Sequence, residues 1–152
     1  MKKLFTMLTV VAISATMSFA QSGTFALGVG SDMAGTSWQD YSIDPTVGYF
    51  ISDVMLVGTG FTMSSGDAST ETTEISPFVR YYLNSSLYAM GGLSMMTVGE
   101  ADAVTDIKAG LGLSLMWNDK VAIEPAFGAL IGDENLELGL SIGISIRLGM
   151  DE

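Results

Sequence analysis

The sequence predicts an all-β protein: an eight-stranded antiparallel transmembrane β-barrel of up-and-down topology, preceded by a cleaved signal peptide. Three observations point there. Mean hydropathy is positive, at +0.42, yet after residue 20 there is no run of 18 apolar residues able to cross a bilayer as a helix. A closed barrel is the other structure that can span hydrocarbon, because all of its backbone groups are paired. The third observation is the period-two alternation that recurs along the chain, with Leu and Ile on one face and mostly Gly and Ser on the other.

The first twenty residues stand apart. Lys2 and Lys3 open the chain, Leu4 to Ile13 form a short apolar run, and Ser18-Phe19-Ala20 gives a small-x-small cleavage signal. That order is the layout of a secretory signal peptide, and the apolar run is too short to span a membrane. Residues 1–20 are therefore expected to be removed, leaving 21–152 as one barrel domain. The cut removes two of the six basic residues and none of the 17 acidic ones, so four bases face 17 acids and the mature charge is −13. Such a charge argues against nucleic acid as a partner and against charge-driven adhesion to anionic lipid.

Strand signals follow in order. Weaker copies of the alternation lie near 24–30 and 45–51. Near 54–63, Met55, Val57, Phe61 and Met63 oppose Leu56, Gly58, Gly60 and Thr62. Further weak copies lie at 74–83 and 87–98. Over 103–118, Ile107, Ala109, Leu111, Leu113, Leu115 and Trp117 oppose Lys108, Gly110, Gly112, Ser114 and Met116. Over 121–131, Val121, Ile123, Phe127 and Ile131 oppose Ala122, Glu124, Ala126 and Gly128. The clearest case comes last: Leu138, Leu140, Ile142, Ile144, Ile146, Leu148 and Met150 oppose Gly139, Ser141, Gly143, Ser145, Arg147 and Gly149. A tilted bilayer-crossing strand needs about 9–11 residues. Gly and Ser make a poor soluble exterior but fit the crowded interior of a small barrel, so the Leu/Ile face is expected to meet lipid.

Connections alternate in length. Ser52-Asp53, Asn84-Ser85-Ser86 and Asn118-Asp119-Lys120 read as tight turns. Longer loops are expected near 31–43, 64–73, 99–105 and 132–136. Short periplasmic turns and long outer loops are the habit of outer-membrane barrels. Tyr49, Phe50, Tyr81, Tyr82 and Trp117 flank the short turns and are expected to form an interfacial girdle. Pro77 and Pro125 fall inside strands, where each removes a ladder hydrogen bond, a conflict that bulges would relieve.

The stretches 43–50 (IDPTVGYF), 75–82 (ISPFVRYY), 118–124 (NDKVAIE) and the closing 140–148 run give the chain a family resemblance. It resembles small outer-membrane β-barrel proteins of the OmpX, OmpW and OmpA-barrel type. The likeness covers nearly all of 21–152. It implies residence in a bacterial outer membrane, contact with outer-membrane lipids, and passage through periplasmic chaperones and the barrel-assembly machinery. A proline at the Pro77 position is common in that group. Such barrels usually end on an aromatic residue; here Leu148 stands in that place and Gly149 to Glu152 follow.

Inward parity places Glu74, Arg80, Asp106, Lys108, Glu124, Glu137 and Arg147 in the lumen. Mutual pairing is expected, since unpaired buried charges are costly. The outer loops are acidic at Asp32, Asp40, Asp67, Glu71, Glu100, Asp102, Asp133 and Glu134, without the ligand spacing of a defined Ca²⁺ site. Trp38 and Tyr41 in the first loop are candidates for rim packing or for anchoring an extracellular ligand. The chain has no histidine and no cysteine. A Ser-His triad is thereby excluded, as are disulfides and thiol chemistry. The barrel enzymes of this membrane would imply an active-site histidine by resemblance, and only paired carboxylates remain as a chemical option. The expectation is a monomeric, non-enzymatic barrel, structural or interacting through its loops, with no cofactor and no metal. The alternative is a narrow channel or carrier for small solutes through the polar lumen.

Overall fold

The computed structural model describes residues 22–33, 44–64, 72–99, 101–132 and 136–149. The signal-peptide segment, Trp38 and Tyr41, and Asp40, Asp67, Glu71, Glu100, Asp133 and Glu134 lie outside the described residues.

Eight strands form the wall: β1 (Phe25–Met33), β2 (Asp44–Ser52), β3 (Met55–Ser64), β4 (Thr72–Tyr82), β5 (Leu87–Val98), β6 (Val104–Leu113, resuming over Leu115–Met116), β7 (Val121–Ile131) and β8 (Leu136–Leu148). Each pairs antiparallel with the next, and β8 pairs with β1, which closes the sheet on itself. No helix occurs among the described residues. The strands reach slightly further outward than the alternation suggests. Ser31–Met33, for example, pair with Leu140–Ile142 rather than starting a loop.

The faces separate as the composition requires. Along β8, Leu136, Leu138, Leu140, Ile142, Ile144, Ile146 and Leu148 are all exposed, while Ser145 and Arg147 between them are buried. An apolar exterior around a polar interior inverts the soluble pattern and is stable only against hydrocarbon.

The prolines are accommodated by gaps in the ladder. No bulge forms at either. In β4–β5 the ladder lapses after Ile75↔Met95 and resumes at Phe78↔Gly92 in the same register. In β6–β7 it lapses after Gly112↔Ala126 and resumes at Leu115↔Ile123, again in the same register. Dropping a few pairs preserves the alternation on both sides, whereas a one-residue slip would turn every later side chain to the wrong face. The register shift that does occur lies in β2–β3 between Phe50 and Ser52, beside the first tight turn.

Two of the tight turns share one wiring. Asn84 Oδ1 accepts from the backbone N–H groups of Ser86 and Leu87 at 2.9 and 2.8 Å. Asn118 Oδ1 accepts from those of Lys120 and Val121, both at 2.8 Å. These are Asx turns, in which the side chain imitates a backbone acceptor. At the same end the beginning of β1 and the end of β8 bring Gly23 and Gly149 together. Gly23 and Gly149 have φ of 93° and 96°, a left-handed conformation that glycine adopts without a Cβ penalty.

Candidate functional site: the barrel lumen

The turn-side half of the lumen is filled. Phe50, Leu56, Tyr82 and Tyr88 point inward from β2, β3, β4 and β5 and are almost fully buried, with Ala26, Phe78 and Met90 packed against them. The Tyr82 ring lies 5.6 Å from Phe50 and 5.5 Å from Tyr88, tilted in both cases. Close packing depends on missing side chains nearby. A Cβ at Gly112 would sit 2.3 Å from the Tyr88 ring.

Two arginines are set into this aromatic layer. Arg147, 2% exposed, holds its guanidinium 5.4 Å from the Phe50 ring and 5.9 Å from Tyr82. Its Nη2 donates to Ser114 Oγ at 2.9 Å, and Ser114 Oγ in turn donates to Glu124 Oε1 at 3.2 Å. Arg80 reaches the same carboxylate, Nη1 to Oε2 at 2.8 Å, between the rings of Phe78 and Tyr88 at 5.1 and 4.7 Å. One carboxylate thus serves two cations, and ring faces supply the remaining compensation. Arg80 Nε is buried without a hydrogen-bond partner among the described residues.

The outer half is built around one acceptor. Glu74 Oε1 accepts from Lys108 Nζ at 2.7 Å, from Ser76 Oγ at 2.6 Å and from Ser94 Oγ at 2.5 Å. Lys108 Nζ also donates to Ser76 Oγ at 3.1 Å. Nearby, Thr62 donates to the Asp44 carboxylate. This half is open: cavities of about 130 and 190 Å³ share Glu74, Met90 and Lys108 in their walls.

Each cluster sits on a proline gap. Ser76 and Ser94 face each other where the β4–β5 ladder lapses, and both bind Glu74. Ser114 and Glu124 face each other where the β6–β7 ladder lapses, and bind directly. Side-chain hydrogen bonds therefore bridge the strands where proline has removed a backbone donor.

Of the seven charged residues assigned to the lumen, the structure joins five. Arg80, Glu124 and Arg147 form one cluster, and Glu74 and Lys108 the other. Asp106 and Glu137 line the larger cavity but join neither cluster, and Glu137 is exposed near the outer rim. The serines were missed because Ser reads as filler on a Gly/Ser face; their parity, identical to that of the charges, was the available signal. The aromatic girdle needs correction. Tyr49, Tyr81 and Trp117 do face outward, but Phe50 and Tyr82 are buried inside. Consecutive residues in a strand point to opposite faces, so only one member of each Tyr49-Phe50 and Tyr81-Tyr82 pair can meet lipid.

Among the described residues there is no group of three side chains suited to hold a metal ion. The arrangement can fix the barrel's shape, block the turn-side end, and leave a polar cavity open toward the loops.

No family model matches the sequence, and no curated protein matches it. Solved structures do match in shape. The N-terminal β-barrel domain of Pseudomonas aeruginosa OprF aligns with TM-score 0.67 and 12% identity, over 84% of this chain and 98% of that one. OprG, an outer membrane protein of the same species, aligns with TM-score 0.54 and 13% identity, over 84% and 97%. The Yersinia pestis outer membrane protein Ail, in a phospholipid nanodisc, aligns with TM-score 0.54 and 13% identity, over 84% and 100%. The chain has the closed eight-stranded fold of small bacterial outer-membrane β-barrels.

Proposed function

We propose that the protein is a non-enzymatic barrel of the bacterial outer membrane. In this reading it is closed on the periplasmic side and carries its acidic loops on the outer face. One observation carries the closed state: the buried Phe50–Tyr82–Tyr88 layer, its neighbouring rings 5.6 and 5.5 Å apart, with the Arg147 guanidinium set into it. The lumen of an eight-stranded barrel is just wide enough for side chains to fill. Short turns at one end support the orientation, the apolar belt supports insertion in lipid, and the lack of histidine supports a non-catalytic role. The exposed work then falls to the loops, where an acidic surface suits a basic or cationic partner.

Planar-bilayer recording tests this. The expected result is no discrete current at high protein load, and solute-dependent unitary currents would overturn the closed reading. The narrow-channel reading draws on the outer cavities, which run down to the Arg80–Glu124 pair. It expects current in the unmodified protein. The closed reading expects current only after the plug is cut, as in a Phe50→Ala/Tyr88→Ala double variant. Insertion itself is checked by heat-modifiable gel mobility and a β-type circular dichroism spectrum in detergent; a helical spectrum would end the barrel reading.

A further inference from the structure

We infer that the outer half of the lumen is a binding pocket for a small organic cation with a compact apolar body, of the short alkylammonium class. This goes beyond the closed-barrel reading, since such a pocket could be filled whether or not the lumen conducts.

The wall chemistry leads there. Met90, Met96, Leu130 and Ala126 line the larger cavity and offer an apolar surface inside an otherwise polar lumen. Concave space with an apolar lining and a few placed charges is the usual form of a small-molecule site. At about 190 Å³, and sharing Glu74, Met90 and Lys108 as wall with the second cavity, it has room for several non-hydrogen atoms, given that a water occupies roughly 30 Å³ in the liquid.

The charges decide the sign of the ligand. Four carboxylates line the two cavities above the Arg80–Glu124 floor: Asp44, Glu74, Asp106 and Glu137. One cation, Lys108, faces them, and it is spent on Glu74 and Ser76 at 2.7 and 3.1 Å. Asp44 is held by Thr62. Asp106 and Glu137 line the cavity that carries the methionines, and no hydrogen bond or ion pair joins them to either cluster. An ammonium group placed between them would meet negative charge that neither cluster neutralises, while its alkyl chain lies against Met90, Met96 and Leu130. An anion of the same shape would meet the same apolar wall and be repelled by the same carboxylates. The filled turn-side layer holds such a ligand at the outer end.

Methionine methyl NMR on the full mature chain, folded in micelles of an uncharged detergent, reads this directly. The probes are n-butylammonium and n-butyrate at matched ionic strength. Met90 and Met96 are expected to shift saturably with butylammonium, at least five-fold more tightly than with butyrate. Met63 and Met95, on the Ile75 side of the β3–β5 register rather than the Glu74 side that carries Met96, report partition into the micelle and should not saturate. Equal responses to the two probes, or no saturable shift at Met90 and Met96, would overturn the inference. In an Asp106→Asn/Glu137→Gln variant, verified by heat-modifiable mobility, the preference for the cation should vanish. Retention of full preference would overturn it equally. If the double variant does not fold, the single Glu137→Gln variant serves, because Glu137 is exposed at the rim; it should weaken butylammonium binding at least two-fold, and unchanged binding would count against the inference.

Discussion

The two halves of the lumen each hold one cation–carboxylate pair of nearly the same length, 2.8 Å for Arg80–Glu124 and 2.7 Å for Lys108–Glu74. Their surroundings differ. The first pair is 15% and 6% exposed, the second 26% and 23%. The arginine lies between two aromatic rings, where its planar, weakly hydrated guanidinium is well suited. The lysine borders open cavities, where a strongly hydrated ammonium keeps part of its water. Distance alone would rank the pairs as equals. Burial and neighbours make the first a structural element and the second a wall of a wet pocket.

This contrast breaks if the halves respond alike to substitution, measured as denaturant midpoints for refolding into lipid vesicles. The largest effect is expected from Glu124→Ala, which leaves Arg80 buried without its carboxylate and Ser114 without its acceptor; removing one partner of a buried pair costs about 3–5 kcal/mol. Gly112→Ala comes next, because its Cβ would press into the Tyr88 ring; overpacking of this kind costs about 1–3 kcal/mol. Lys108→Met should cost about 1 kcal/mol or less, since Glu74 is partly hydrated and keeps its two serine donors. Asp106→Asn should move the midpoint by less than about 0.5 kcal/mol, as expected away from packed or paired positions. A Lys108→Met loss as large as that of Glu124→Ala would erase the distinction.

The proline gaps sharpen the same comparison. If the Ser114–Glu124 bond replaces a lost backbone pair, Ser114→Ala should cost less in a Pro125→Val background, where a backbone donor is restored. A double-mutant cycle should give a coupling of about 0.5–1 kcal/mol. Strict additivity would mean that cluster and gap are neighbours without a functional relation.

Much of the wall was legible in the sequence. Alternation located all eight strands because period two has no helical counterpart, and the residues facing in and out followed from parity alone. Parity also placed all seven charged side chains on the inner face. It could not say which would meet. Arg80 and Glu124 lie 44 residues apart, and Lys108 and Glu74 lie 34 apart, on strands that are not neighbours. Their contact depends on the height each reaches across the lumen, which strand tilt and stagger set jointly. The misplacement of Phe50 and Tyr82 had a different origin. Proximity to a turn was weighed above parity, and parity was the stronger rule. The accommodation of the prolines is not legible for a third reason: a gap and a bulge relieve the same steric conflict, and only the surrounding register distinguishes them.

The meeting of Gly23 and Gly149 has a consequence for how the chain could be re-cut. A Cβ on Gly149 would lie 3.7 Å from the Gly23 carbonyl oxygen, and β1 pairs with β8 along its length. The order of strands around the wall is thus a ring, and the position of the termini within it is a choice of starting point. A short linker joining Gly149 to Gly23, with new ends opened in one of the long loops, would leave every strand pair in place. Such a circular permutant moves the β1–β8 seam from last to internal in the order of synthesis, while the finished wall stays the same.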